Sequence, residues 1–188
     1  MKILVFDNYD SFTYNLVQYL ERVSKAKVEV HRNDKISLKE INAFDKILLS
    51  PGPGIPSEAG ILLDVIKEFS PKKSIFGVCL GQQAIGEVFG GRLKNLDSVY
   101  HGVATEMAVV HDDLLFKDIP KKFRAGRYHS WVVDEKNFPN DLEITVKDEN
   151  GFVMGLRHKK FDVRGVQFHP ESVLTEHGLK MIENWVKS

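Results

Sequence analysis

The first half of the chain alternates short apolar runs with segments whose apolar residues recur at helical spacing. The runs are too short and too uniformly apolar for amphipathic helices, and are typical of strands buried on both faces of a sheet. Such alternation predicts βαβ units around a parallel sheet with helices on both faces. The predicted strands are residues 2–6, 28–31, 46–49 and 74–78, and the predicted helices are 11–23, 60–69 and a segment that follows Cys79.

The second half contains short strand-like segments separated by turn signals. We expect them to extend the first sheet as antiparallel additions, and we expect a final amphipathic helix over 178–186. No repeat, linker or low-complexity stretch interrupts the 188 residues, so we expect one domain over 1–188. The predicted strands are 99–110, 131–134, 142–146, 152–157 and 163–168.

The composition argues against several classes of function. Lys plus Arg and Asp plus Glu each number 26, so neither a nucleic-acid footprint nor a polybasic membrane anchor is indicated. The seven histidines and single cysteine show no metal-ligand spacing, so we expect neither a metal nor a cofactor. A lone cysteine fits a reducing compartment, and no apolar stretch is long enough to span a bilayer, so we expect a cytoplasmic protein.

Cys79 lies where a predicted buried strand turns into a helix. Gly77 and Gly81 flank it as Gly-x-Cys-x-Gly, the cysteine form of a nucleophile elbow. The glycines suit a tight turn approached closely by a substrate, and the helix N-terminus favours a negative sulfur. Its own neighbourhood also fits a buried structural cysteine.

A histidine and a carboxylate follow the last predicted strand, in the segment 166–172. His169 and Glu171 are two residues apart, and Pro170 keeps His169 extended, so both side chains project the same way. This arrangement suits a base oriented by an acid, although a solvated strand end would look the same. His129 is a rival base that lacks an acid close in sequence.

The Pro-Gly segment 50–54 follows a predicted parallel strand, at the sheet edge where ligands bind in open α/β proteins. An ordinary tight turn is the alternative, and a phosphate loop lacks its Gly-Lys-Ser/Thr ending. An oxyanion hole requires fixed backbone N–H donors. The N–H groups of Gly54 and of Leu80, directly after the cysteine, are the natural donors.

Together these segments resemble the class I (triad) glutamine amidotransferases. Ser-Pro-Gly-Pro-Gly, Gly-Val-Cys-Leu-Gly-x-Gln, Tyr-His-Ser and Gln-Phe-His-Pro-Glu-Ser occur in that family's order and cover most of the chain. The segment 6–16, Phe-Asp-Asn-Tyr-Asp-Ser-Phe-Thr-Tyr-Asn-Leu, is similar to the opening of the small subunits of anthranilate synthase and aminodeoxychorismate synthase. Without that resemblance it predicts only a strand, a turn and a helix capped by Asp10 or Ser11.

The resemblance implies a flavodoxin-like α/β fold and glutamine hydrolysis by a triad of Cys79, His169 and Glu171. It further implies that the freed ammonia passes to a chorismate-binding large subunit. Gln83 would contact the substrate, since one helical turn places it over the same face as Cys79. The implied glutamine-binding residues are Gly52, Pro53, Gly54, Gln83, Ser130 and Trp131, the last two largely through their backbone.

The chain departs from the family pattern at three positions. It has Gln82 where His is usual, Trp131 where Leu is usual, and Val103 where Lys is usual. Of the two pathways, the tryptophan pathway of anthranilate synthase is preferred to the folate pathway. The alternatives are a stand-alone γ-glutamyl hydrolase or peptidase-like relative, and a non-catalytic binding module.

Overall fold

The computed structural model describes all residues, 1–188, and contains five α-helices and eleven strands. No helix is both long enough and apolar enough to cross a membrane. The helices are α1 (Thr13–Val23), α2 (Leu38–Ile41), α3 (Leu62–Phe69), α4 (Leu80–Val88) and α5 (Gly178–Val186). The strands are β1 (Lys2–Asp7), β2 (Lys27–Arg32), β3 (Lys46–Leu49), β4 (Ser74–Val78), β5 (Leu93–Asn95), β6 (Val103–Val109), β7 (Lys122–Arg127), β8 (Trp131–Val133), β9 (Leu142–Asp148), β10 (Val153–His158) and β11 (Val163–Val166).

Nine strands form one sheet in the order β2-β1-β3-β4-β11-β10-β9-β6-β7. The pairs from β2 through β4 to β11 are parallel, and the pairs from β11 to β7 are antiparallel. The predicted α/β class, with a parallel sheet extended by antiparallel strands, is thereby confirmed. Strand β11 is the junction, because it pairs with β4 in parallel and with β10 in antiparallel fashion.

Helices cover both faces of the parallel strands. Helices α1 and α5 pack on one face through Leu16, Leu20 and Ile182, whereas α3 and α4 pack on the other through residues such as Val65 and Ile85. Because both faces are covered, each residue of β3 is buried. Burial of this kind contributes about 1.5–3 kcal/mol for each large aliphatic side chain, which explains why three of the four residues of β3 are aliphatic.

Two helices begin later than predicted. Helix α1 begins at Thr13, and its N-cap is Phe12, which makes no side-chain capping bond. Asp10 was predicted as a cap, but its carboxylate accepts a hydrogen bond from the Phe12 N–H inside the preceding loop. Helix α3 begins at Leu62 because Gly60 has a φ of +56°, outside the helical region.

The strand predictions were wrong in several places, and β5 was not predicted at all. The strand predicted over 99–110 begins at Val103, since Gly102 has a φ of +68° and ends a loop there. Strand β8 was expected in the main sheet, but it pairs only with β5 in a separate two-stranded sheet. Strand β7 was not predicted, and it forms the outer edge of the main sheet.

Candidate active site

Cys79 lies at the sharp turn between β4 and α4. Its φ of +52° and ψ of −102° are unusual for a residue with a side chain, and such a conformation costs about 1–3 kcal/mol. The turn fits because Gly77 and Gly81 carry no Cβ. A Cβ on Gly77 would lie 2.5 Å from the Gly81 carbonyl carbon, and one on Gly81 would lie 2.7 Å from the Leu49 oxygen. The strained elbow expected from the sequence is therefore present.

His169 and Glu171 form a buried pair beyond the end of β11. Nδ1 of His169 lies 2.7 Å from Oε1 of Glu171, and the two side chains are 3% and 0% exposed. A carboxylate can only accept, so Nδ1 carries a proton and Nε2 is the basic nitrogen of the neutral ring. Burial opposes the charged ring, but the adjacent Cys79 sulfur and the Glu171 carboxylate more than offset it and raise the pKa of His169 well above its ordinary value.

The strands hold the cysteine and the histidine together. The Cys79 N–H donates to the Val166 carbonyl at 2.8 Å, continuing the parallel ladder in which Val78 lies opposite Val166. On the other side, the His169 N–H donates to the Gly126 carbonyl at 3.0 Å. Cys79 is thus fixed by a main-chain bond to β11, and His169 by one to β7.

Two aromatic rings enclose His169, and neither was predicted to belong to the site. The ring centroids of Phe12 and Tyr128 lie 6.0 and 4.8 Å from that of His169, both edge-on. The Tyr128 hydroxyl lies 3.1 Å from the Ser172 hydroxyl, which fixes the ring. Both aromatics belong to the sequence motifs that carry the family resemblance, so the signal was present, but only the folded chain brings them together.

A cavity of about 220 Å³ opens directly above the elbow. It is small, of a size that suits an amino acid rather than a larger ligand. His169 and Glu171 do not line it, although His169 lies close to Cys79. Its lining includes every residue predicted to bind glutamine, and the full set is Gly52, Pro53, Gly54, Cys79, Leu80, Gln83, Val99, Tyr100, His101, Tyr128, His129, Ser130 and Trp131.

Both predicted oxyanion donors line this cavity. Gly54 has a φ of +71°, and its N–H donates to no group of the protein. Leu80 is the first residue of α4, where backbone N–H groups lack intrahelical acceptors. The Pro-Gly loop is anchored by Asn8, whose N–H and amide donate to the hydroxyl and carbonyl of Ser50 at 2.8 and 2.9 Å.

The side-chain amide of Gln83 forms part of the cavity wall. Its Nε2 donates to the Trp131 carbonyl at 3.0 Å and to Oε1 of Gln167 at 3.1 Å. Both amide protons are therefore used within the protein, and Oε1 accepts from no protein group. This oxygen is the part of Gln83 that can accept a hydrogen bond from a bound ligand.

The carbonyls of Ser130 and Trp131 are already hydrogen-bonded within the protein. The Ser130 carbonyl accepts from the Leu96 N–H at 2.7 Å. The Trp131 carbonyl accepts from Gln83 and, at 2.9 Å, from Nδ1 of His129. The Ser130 N–H donates to no protein group, so the backbone contact predicted there is still available to a ligand.

His129, the rival base, is excluded by its surroundings. Burial, and then the nearby Arg127 guanidinium, lower its pKa to about 3, so the ring is neutral. Its Nδ1 proton is donated to Trp131, and its Nε2 accepts from Nε of Arg127 at 3.2 Å. Neither nitrogen is free to take a proton from a thiol.

Gln82, one of the departures from the family pattern, points into the core. It is fully buried, and neither atom of its amide has a hydrogen-bonding partner. Its Cβ and Cγ pack directly on Gly165 of β11, where an added methyl group would lie within 2.9 Å of them. Gln82 therefore affects packing between α4 and the sheet and does not line the cavity. Val103, another departure, is exposed at the start of β6.

Known proteins are similar to this chain in both sequence and fold. The chain is 46% identical over 188 residues to anthranilate synthase component 2 of Pyropia yezoensis, covering 98% of each chain. It is 47% identical over 189 residues to the bifunctional protein TrpGD of Thermotoga maritima, covering 98% of this chain but only 32% of that protein. Among solved structures, a Thermoplasma acidophilum protein described as a candidate GMP synthase subunit superposes with a TM-score of 0.89 at 25% identity, covering 100% of this chain and 92% of that one.

The family model for class-I glutamine amidotransferase matches residues 4–188. This match spans the elbow, the cavity and the His-Glu pair. The chain belongs to the class I glutamine amidotransferase family.

Proposed function

We propose that this protein is the glutaminase subunit of anthranilate synthase, and that it supplies ammonia to a chorismate-binding large subunit in tryptophan biosynthesis. Relatives that match over nearly their whole length are named anthranilate synthase component 2, in Pyropia yezoensis and in Pseudomonas aeruginosa. They support this pathway over the folate pathway.

The chemistry follows from the groups around the cavity. The Cys79 sulfur attacks the side-chain amide carbon of glutamine, while His169 takes the thiol proton at Nε2. Glu171 holds the ring in the required tautomer and stabilises its cation. The negative oxygen of the tetrahedral intermediate accepts from the N–H groups of Gly54 and Leu80.

Collapse of that intermediate breaks the carbon–nitrogen bond. The imidazolium of His169 gives its proton to the departing nitrogen, which leaves as ammonia, and a thioester to Cys79 remains. Water, deprotonated by the same histidine, then attacks the thioester and releases glutamate and the free thiol. Atoms and charges balance without a metal or a redox cofactor.

The observation that supports this proposal most is the buried His169–Glu171 pair beside the cysteine. A fully buried carboxylate is costly unless it is paired, and here its partner is the one ring that can serve the sulfur. The position of this pair beside the cysteine favours a catalytic site over a non-catalytic binding module.

The test is a Cys79→Ser variant assayed in complex with the chorismate-binding large subunit. We expect glutamine-dependent synthesis to be lost and synthesis from added ammonium salt to be retained, because the large subunit binds chorismate and ammonia independently of the thiol. The ammonia reaction in the same complex is the control for folding and assembly. Full glutamine-dependent turnover by the variant would refute Cys79 as nucleophile.

The product separates the pathways. Anthranilate supports the proposal, whereas aminodeoxychorismate would assign the chain to the folate pathway. Strong glutaminase activity by the chain alone, with no stimulation by the large subunit, would instead indicate a stand-alone hydrolase.

A further inference from the structure

A continuous chain of buried hydrogen bonds runs from the cavity wall to the reactive sulfur. The Trp131 carbonyl accepts from Gln83, Gln83 donates to Gln167, and Nε2 of Gln167 lies 3.4 Å from Sγ of Cys79. Gln167 is fully buried and is not on the cavity wall, so its amide touches the site only through these two neighbours.

The direction of every bond in this chain follows from its first member. A carbonyl can only accept, so the Gln83 group that faces Trp131 is the NH₂. The same NH₂ also faces Gln167, which must therefore present its oxygen there. The NH₂ of Gln167 is then the group directed at the sulfur, and it donates to Cys79.

The sulfur has two polar neighbours. His169 lies close enough for the sulfur to raise the pKa of its ring, although Nε2 of His169 has no partner at hydrogen-bonding geometry. Gln167 is the neighbour whose NH₂ meets the geometry of a hydrogen bond to the sulfur, and a donor in that position stabilises a thiolate more than a thiol.

We propose that Gln167 is a positioning residue that holds the Cys79 sulfur as a hydrogen-bond donor and links it, through Gln83, to the wall that contacts the substrate. Gln167 belongs to the Gln-Phe-His-Pro-Glu-Ser segment that carries the family resemblance, but no role was predicted for it. The expected effect of Gln167 on turnover rests on the proposed function, whereas its expected effect on the reactivity of the Cys79 thiol does not.

Two substitutions at Gln167 distinguish the role of its NH₂ group from that of its amide oxygen. Gln167→Met keeps the volume but removes both the donor to Cys79 and the acceptor for Gln83. Gln167→Glu keeps an acceptor for Gln83 and removes the donor to the sulfur. We expect kcat for glutamine to fall about tenfold or more in both variants, and KM to rise only in Gln167→Met.

The chain offers a matched control in Gln82→Met. This residue is equally buried and lies near the same strand, but its amide has no partner to lose. We expect its kinetics and thiol reactivity to match those of the unaltered protein.

The decisive readout is the pH dependence of alkylation by iodoacetamide in the full chain. Cys79 is the only cysteine, so every alkylation event reports on it. We expect the midpoint of the rate profile to move to higher pH in Gln167→Met and Gln167→Glu, because the thiolate loses a donor. A purely structural role would lower the unfolding temperature without moving this midpoint.

Unshifted midpoints with kcat within twofold of the unaltered protein would overturn the proposal, as would an equal shift in Gln82→Met. If Gln167→Met does not fold, Gln167→Leu, which also removes the donor without adding a charge, takes its place in the comparison, because the carboxylate of Gln167→Glu would itself disfavour the thiolate. Because alkylation requires no glutamine, a failure of the proposed function would appear as absent turnover in the unaltered complex, while this comparison would remain valid.

Discussion

The fully buried amide of Gln82 predicts an unusual result, a single substitution beside an active site that stabilises the protein. The side chain has 0% exposure, and no protein group forms a hydrogen bond with either its nitrogen or its oxygen. Most substitutions at buried positions destabilise. Gln82→Met should do the opposite, since methionine fills a similar volume without an amide.

The size of the effect follows from the cost of burying an unpaired polar group. Each such donor or acceptor costs about 1–3 kcal/mol of folding free energy. The donor and the acceptor of Gln82 belong to one amide, and partial relaxation around it lowers their combined cost. We therefore expect removal of the amide to increase the free energy of unfolding by about 2 kcal/mol. For a chain of this length, 1 kcal/mol corresponds to about 2–4 °C in the unfolding temperature. We therefore expect Gln82→Met to raise the midpoint by about 4–8 °C.

Thermal unfolding monitored by circular dichroism, with urea titration as a second measure, tests this expectation. The urea midpoint should rise with an unchanged slope, since the surface exposed on unfolding is the same. Gln83→Met is the matched contrast, because it removes two hydrogen bonds from the adjacent position and should lower the midpoint. An unchanged or lower midpoint for Gln82→Met would refute the reasoning and show that the amide is paired in solution.

Two further predictions concern the histidines. Glu171→Gln keeps the shape of the side chain but removes the charge that, after that of the Cys79 sulfur, raises the pKa of His169, so kcat for glutamine should fall by about 10²–10⁴ in the steady-state assay of the complex; activity within twofold would contradict the assigned role. The pKa of His129 is lowered to about 3 in the folded chain, so the unfolded chain binds one more proton between about pH 3 and the ordinary histidine range. The free energy of unfolding should therefore decrease as pH falls through that window, by up to about 1.4 kcal/mol per pH unit. Urea titrations at a series of pH values should show this decrease in the unaltered protein and a smaller one in His129→Gln. If the free energies of the two proteins change in parallel with pH, His129 does not make this contribution.

The parallel half of the fold was predictable because its central strands are buried on both faces. Strands β3 and β4 have the predicted bounds, since every residue except Ser74 is buried and apolar residues dominate each strand. Strand β7 was not predicted, because its apolar residues are interrupted by the charged residues Lys122, Arg124 and Arg127. Arg127 is nevertheless fully buried, through an ion pair of 2.7 Å with Asp148 from another strand. Only the tertiary fold supplies that partner.

The same distinction applies to the site. Cys79 and the His169–Glu171 pair could be named because glycines, a proline and close spacing leave local traces. The exclusion of His129 could not be predicted, because it depends on Arg127 and on the carbonyl of Trp131. Gln167 belongs to a motif that carries the resemblance, but a glutamine after a strand gives no indication of the sulfur opposite it.

The pairing of β4 with β11 also determines which changes of length the chain can accept. The spacing between nucleophile and base is set by one rung of the ladder, Val78 opposite Val166, and not by the length of chain between them. Residues inserted at the turn after β9, where Gly151 has a φ of +82°, would extend a hairpin without altering that rung. The antiparallel half can thus vary in length during evolution, or be re-engineered, while the two reactive side chains keep their separation.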